Sequence, residues 1–200
     1  METVDLRQCY TPQMTNYEKV RSLELLDTFH QLSERHRLDY SICWGTALGH
    51  QRHGGFIPWD DDIDVCVPGA QADRLSRVLA DMPSWTGYAR HPGDEESPGG
   101  FHKVFDQGGI ENDFYWRWPF LDIFEVQDDN PHHPHLFPSR SLDHPFEGRL
   151  QLRQPRHPAA HLALQYGDAY MEQLLDGGWS HRLEESVRDC EPMLAEQLPL

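Results

Sequence analysis

No stretch of this 200-residue chain approaches the ~20 consecutive apolar residues needed to span a bilayer, so no membrane span is expected. The opening residues, Met1-Glu2-Thr3-Val4-Asp5, have neither a basic n-region nor an apolar h-region. No signal peptide follows from them, and a soluble, cytoplasmic protein is expected. Basic residues are scarce: 17 Lys and Arg face 33 Asp and Glu, a formal charge of −16. Nucleic-acid affinity rests on Lys and Arg contacts to phosphate, so a nucleic-acid partner is disfavoured. A small anionic substrate is still admissible where metal ions and a few cations gather locally. Cysteine is sparse too, and Cys9, Cys43, Cys66 and Cys190 form no C-x-x-C pair, which argues against a zinc ribbon. Cys43 and Cys66 lie inside apolar runs and read as small core residues.

What remains is a composition of 38% hydrophobic and 11% aromatic residues, enough for one folded domain with a genuine core. Residues 1–14 read as an irregular N-terminal arm. Thr15-Asn16-Tyr17-Glu18 has the form of a capping box, and Val20, Leu23, Leu26 and Phe29 recur at helical spacing, so a helix is predicted over 15–36. Leu38, Tyr40, Ile42 and Trp44 alternate with Asp39, Ser41 and Cys43 and predict a strand. A short helix is expected from Thr46 to His53, closed by Gly54-Gly55. Asp62 to Val67 alternates again as a second strand, and Ala70 to Met82 suits an amphipathic helix. Residues 83–100, rich in Pro, Gly and acids, read as a loop, and so do residues 127–145 with their four prolines. Two further strands are predicted at Phe101–Phe105 and Phe120–Val126, a hairpin arm at Phe146–Leu152, and helices at His157–Leu175 and Trp179–Leu198, the last a C-terminal helical tail over 176–200.

The chemistry is expected in Pro58-Trp59-Asp60-Asp61-Asp62-Ile63-Asp64. Side chains two apart in a strand share a face, so Asp62 and Asp64 should project together while Ile63 and Val65 face the core. Two close carboxylates repel unless a cation lies between them. All-oxygen ligands suit Mg²⁺ or Mn²⁺ rather than zinc, with positions left for water and phosphate oxygens. Asp60 shares their parity, and Asp61 should point away. Gly45-Thr46 opens a helix after a strand, where backbone N–H groups and a hydroxyl can receive phosphate. Asp122 is a lone acid in the apolar run Leu121-Asp122-Ile123-Phe124 and needs a partner, either the shared metal or a basic side chain.

The run from Gly45-Thr46 through Arg52-His53 and Phe56-Ile57-Pro58-Trp59 to Asp60-Asp61-Asp62-Ile63-Asp64-Val65 resembles the signature of the LicD family. That family includes bacterial phosphorylcholine transferases and fukutin-related ribitol-phosphate transferases. Leu121-Asp122-Ile123-Phe124 and Tyr166-Gly167-Asp168 extend the resemblance over residues 15–171. It implies an α+β, nucleotidyltransferase-like fold: a small mixed β-sheet with helices packed mainly on one side, the whole chain forming a single such domain. It implies Asp62, Asp64 and Asp122 as metal ligands and catalytic residues, Gly45 and Thr46 as holders of donor phosphates, and Arg52 and Lys103 as neutralisers of phosphate charge. Asp122 is also a candidate to take the proton of the acceptor hydroxyl. The cysteine-built zinc element of the fukutin-related enzymes has no counterpart among these cysteines.

The resemblance thus implies a Mg²⁺-dependent (or Mn²⁺-dependent) phosphotransferase that moves phosphocholine or a polyol phosphate from a CDP-linked donor to a carbohydrate hydroxyl. Nucleotidyl transfer from an NTP with release of pyrophosphate would use the same metals, and a catalytically silent binding module is the reading from outside the enzymes. Elsewhere, His132, His133, His135 and His144 fit a polar loop better than a metal site, because no zinc-type spacing is met. Trp116 and Trp118 fit a core or an interface, with base or sugar stacking as the other reading.

Overall fold

A computed structural model describes residues 10, 12–91, 100–111, 113–174, 179–186 and 193–194. Its centre is a five-stranded mixed sheet in the order β1-β2-β5-β4-β3. The strands are β1 (Ser41–Ile42), β2 (Asp64–Pro68), β3 (Thr86–His91), β4 (Phe101–Glu111) and β5 (Arg117–Val126). β2 and β5 run parallel and every other pair is antiparallel. This is the α+β arrangement that the sequence predicts.

The long helix α1 (Asn16–His36) starts as its sequence dictates. Glu18 N donates to Thr15 Oγ1 at 3.3 Å, and Thr15 N donates to Glu18 Oε2 at 2.7 Å, closing the capping box. Its buried side, Leu25, Leu26 and Phe29, enters the main core with Val65, Val67, Val104, Leu121 and Ile123. Those strand residues share one face by register, since Val65 pairs with Ile123 and Val104 with Leu121. α3 (Ala72–Ala80) packs beside α1 and adds Leu75 and Val78 to this core.

The opposite face carries Asp64 and Cys66 on β2, Asp122 and Phe124 on β5, and Lys103 on β4. α2 (Trp44–His53) and the short α4 (His133–Leu136) border it, and α5 (Pro158–Tyr166) packs on both. Cys43 and Cys66, fully buried and free, form a second small core here with Val126, Leu136 and Phe137. Cys9 and Cys190 lie outside the described residues.

Several predicted elements change extent. The strand expected from Leu38 to Trp44 buries Leu38, Tyr40 and Ile42, but Ser41 and Cys43 are fully buried too, so both faces are covered, and only two residues find a ladder partner. Trp44 already begins α2. The loop expected at 83–100 holds β3, an edge strand on β4; residues 92–99 lie outside the described part. β4 and β5 are both longer than expected and enclose the aromatic loop. The 127–145 loop contains α4 and β6 (Arg140–Ser141), which pairs with β7 (Arg153–Gln154). The helix expected from His157 ends at Tyr166, where Gly167 takes φ 81.

The C-terminal stretch departs most. Among the described residues of the helix expected from Trp179 to Leu198, two-residue strands stand instead: β9 (Trp179–Ser180) pairs with β10 (Glu185–Ser186), and β11 (Met193–Leu194) pairs with β8 (Gln173–Leu174); residues 187–192 and 195–200 lie outside the described part. Of the N-terminal arm expected over residues 1–14, residues 1–9 and 11 lie outside the described part; the described remainder is irregular but anchored: Tyr10 meets Trp59 edge-on at 5.1 Å and Gln13 N donates to Pro58 O at 2.9 Å. No described helix is long and apolar enough to cross a membrane.

Candidate active site

The site is built where parallel neighbours β2 and β5 meet. Asp64 lies directly beside Asp122, which pairs in turn with Lys103 on β4. Asp62 precedes β2 rather than sitting in it, yet its carboxylate reaches the same place. One oxygen each of Asp62, Asp64 and Asp122 lies within 4.8 Å of the others. The cluster opens into a cavity of about 610 Å³, whose wall includes Trp44, Gly45, Arg52, Asp60, Phe124 and Tyr166.

Burial and mutual repulsion dominate the electrostatics. Burial, then the charges of Asp62, Asp122 and Asp60, push Asp64 well above the usual carboxylate range. Burial pushes Asp122 up to about 7, against the pull of Lys103. Lys103 Nζ donates to Asp122 Oδ2 at 2.9 Å and stands 3.2 Å from Glu184 Oε1. The ammonium also lies 3.2 Å from the ring centre of Phe120, a cation–π contact. Asp122 Oδ1, by contrast, is buried without any hydrogen-bond partner among the described residues. An orphaned carboxylate oxygen beside two further carboxylates is what a hard divalent cation satisfies. The residues present therefore fit Mg²⁺ or Mn²⁺.

The expected phosphate-handling residues take more structural positions than the sequence suggests. Thr46 Oγ1 accepts the N–H of Asp64 at 2.8 Å and is buried, so it orients the acid and does not line the cavity. Gly45 does line it, and a Cβ there would stand 2.5 Å from Asp60 Oδ2, so only glycine permits this approach of the carboxylate. Arg52 lines the cavity while its Nε and Nη2 donate to the backbone carbonyls of Tyr170 and Gln173. Its Nη1 makes no protein hydrogen bond among the described residues. Lys103, expected on phosphate, is 2% exposed and engaged by carboxylates.

Asp61, expected to point away, does not line the cavity, yet one of its carboxylate oxygens lies within 4.8 Å of Asp60 and of His181, because β2 starts only at Asp64 and strand parity does not hold before it. The Asp61 carboxylate accepts His181 N at 2.9 Å, Arg182 N at 3.2 Å and Ser180 Oγ at 3.4 Å. It thereby ties the β9–β10 hairpin over the site. His181 Nδ1 then stands 3.3 Å from Asp62 Oδ2. His181 and Glu184 both line the cavity, and the sequence reading missed them. Their local pattern carries no signal, because their position is set by Asp61, more than a hundred residues upstream.

Trp118 is fully buried, and its Nε1 donates to Asp61 O at 2.6 Å. Trp116 Nε1 donates to Glu184 Oε1 at 2.9 Å. Both tryptophans are core and contact residues. His132 Nδ1 lies 3.0 Å from His161 Nδ1, His133 pairs with Asp128, and His144 stacks on His50. Tyr166 lines the cavity, whereas Asp168 is exposed and does not.

The domain family described as LicD/FKTN/FKRP, nucleotidyltransferase domain, matches residues 37–152, more than half of the chain. The chain belongs to this family. A lipopolysaccharide cholinephosphotransferase, LicD, of Haemophilus influenzae is 60% identical over 56 residues, covering 28% of this chain and 21% of the relative. An uncharacterised protein of Rickettsia prowazekii is 36% identical over 56 residues, covering 28% and 21%. One from Rickettsia typhi is 34% identical over 56 residues, covering 28% and 18%. These matches span about a fifth of the relatives' own length. Membership of the LicD family makes the chain a transferase homologue. Asp62, Asp64 and Asp122 all lie within the matched region, whereas the β9–β10 hairpin lies beyond it.

Proposed function

We propose that this LicD-family protein transfers phosphocholine from a CDP-linked donor to a hydroxyl of a glycan acceptor. The observation that carries the reading is the convergence of Asp62, Asp64 and Asp122 in one cavity, with Asp122 Oδ1 unpartnered there. These three carboxylates would hold Mg²⁺ or Mn²⁺, which supplies charge stabilisation for the transferred phosphate and the leaving group. The other residues bind and orient. The N-terminus of α2 has no side-chain cap, and Gly45 in its first turn faces the cavity, so its backbone N–H groups suit a donor phosphate. Arg52 offers Nη1 from the cavity wall.

Aromatic rings favour phosphocholine over a polyol phosphate. Trp44, Phe101, Phe124 and Tyr166 line the same cavity as the acids, and a quaternary ammonium is held by ring faces and nearby negative charge. Asp122, at the heart of the cluster, is also the residue we assign to accept the acceptor's proton. The likeness to the Haemophilus cholinephosphotransferase points to the same donor headgroup and to a lipopolysaccharide or related glycan as acceptor.

Calorimetric titration with CDP-choline, CDP-ribitol and CTP, each with and without Mg²⁺, tests this. Metal-dependent binding of CDP-choline, followed by CMP release when an acceptor is added, is the expected result. Binding of CTP with release of pyrophosphate would replace the reading with nucleotidyl transfer. No binding of any of the three would leave a silent module.

A further inference from the structure

The β9–β10 hairpin lies outside the residues that the family model matches, so family membership assigns it no role. Its attachment is nevertheless specific. Asp61 accepts three donors from residues 180–182. Arg182 adds an ion pair to Glu18 at 3.1 Å, a bond to Gln13 O at 3.1 Å and a stack on Trp118 at 4.3 Å. The turn so fixed sends Glu184 into the cavity. Glu184 holds a left-handed backbone, φ 53, which a glycine or asparagine adopts more easily. A glutamate kept at such a position calls for a reason in its side chain.

That side chain ends on Lys103. The ammonium stands 2.9 Å from Asp122 and 3.2 Å from Glu184, with the Phe120 ring beneath it. Trp116 Nε1 donates to the Glu184 oxygen that faces the ammonium and fixes its direction. At 2% exposure no bulk water screens these charges, so each carboxylate weakens the hold of the other on Lys103.

We infer that Glu184 is a positioning residue of the acidic centre: it shares the Lys103 ammonium with Asp122 and so keeps the negative charge of Asp122 available to a divalent cation. This rests on the metal reading proposed above. Without the Glu184 charge, the Lys103 ammonium is left to Asp122 alone, and the cluster, with one negative charge fewer beside it, becomes a poorer cation site.

Titration calorimetry with Mg²⁺ on the full chain tests it, comparing wild type with Glu184→Gln and Glu184→Asp. Glutamine keeps an oxygen for Trp116 but loses the charge. Aspartate keeps the charge but falls short of Lys103. Both are expected to weaken Mg²⁺ binding about tenfold, the scale of one buried charge contact. A Glu184→Gln protein that binds Mg²⁺ like wild type would overturn the inference. So would a Glu184→Asp protein that does, because charge alone, without contact to Lys103, would then suffice. In a Lys103→Gln background the Glu184→Gln effect should vanish, and an undiminished effect there also counts against the inference. A wild type that binds neither Mg²⁺ nor Mn²⁺ would overturn the metal reading itself, and this inference with it.

Discussion

Two groups of buried polar side chains border α2, and they answer burial in opposite ways. On the acid side, Asp62, Asp64 and Asp122 crowd one corner of the cavity. On the histidine side, His50 and His161 are 1% and 0% exposed. Both nitrogens of His50 and Nε2 of His161 lack hydrogen-bond partners among the described residues. Burial disfavours charge in either case, raising acids and lowering imidazoles. It brings His50 down to about 4 and His161 down to about 3. A neutral imidazole can then pack as an aromatic ring: His50 stacks on His144 at 4.4 Å and His161 leans on Trp44 at 5.0 Å. The acids have no such outlet. Three of them meet in one place, one lysine cannot neutralise all, and a cavity opens beside them. Burial alone therefore makes packing, and burial with crowded like charge beside open space makes a candidate binding site.

The largest expected effect breaks the acid side. Asp62→Asn and Asp64→Asn should each lower transferase activity by about a thousandfold or more, because stabilisation aimed at developing charge in a closed site has at least that weight. Neither should unfold the protein, since each removes one of several like charges that repel. The melting temperature of the metal-free variants should match or exceed that of wild type. Activity within tenfold of wild type in both variants would remove these acids from the mechanism.

A second effect separates the two regions by pH. Asp122 is raised from 3.8 to about 7, so the fold keeps a proton that the unfolded chain has released. Its contribution to stability is complete below 3.8 and is lost as the pH rises through about 7. His50 runs the other way. Its contribution is present above 6.5 and is lost as the pH falls through about 4. Melting curves in a chelator from pH 4 to 8 should show both trends. Asp122→Asn should flatten the loss on the alkaline side, and Mg²⁺ should stabilise wild type most at pH 8. His50→Phe should flatten the loss on the acid side and raise stability at pH 5 by about 1–3 kcal/mol, the scale of an unsatisfied buried polar group. Unchanged slopes in both variants would mean that neither group titrates on unfolding.

The sequence shows the acid side clearly and the residues that organise it hardly at all. α1 is legible because its capping box and apolar spacing are local signals, and both are present. Asp64 and Asp122 are legible because an acid in an apolar strand demands a partner. Asp62 joins the cluster by a route that strand parity does not give, since it reaches the cluster from the loop before β2 rather than from the strand. β3 is hidden among Pro, Gly and acids because an edge strand with one partner needs little apolar patterning. The β9–β10 hairpin is misread as helix because its geometry comes from Asp61, not from its own residues. Lys103 shows the same limit: its type is visible, but its enclosure between Asp122 and Glu184 depends on three separate segments.

The smallest expected effect falls on the seam between the two regions. Thr46 belongs to α2, which also carries Trp44 and His50, and its hydroxyl accepts the backbone N–H of Asp64. Thr46→Val keeps the shape and removes the acceptor, leaving a buried N–H unpaired at about 1–3 kcal/mol. A purely structural bond would lower the melting temperature and leave Mg²⁺ affinity unchanged. If the bond sets where the Asp64 carboxylate points, Mg²⁺ affinity falls as well. Thr46→Ser restores the oxygen and should recover both. We expect the second pattern, because Asp64 sits at the first residue of β2, where one hydrogen bond to the neighbouring helix fixes the start of the strand. Loss of stability with unaltered Mg²⁺ binding would show that the acid cluster is positioned by the sheet alone.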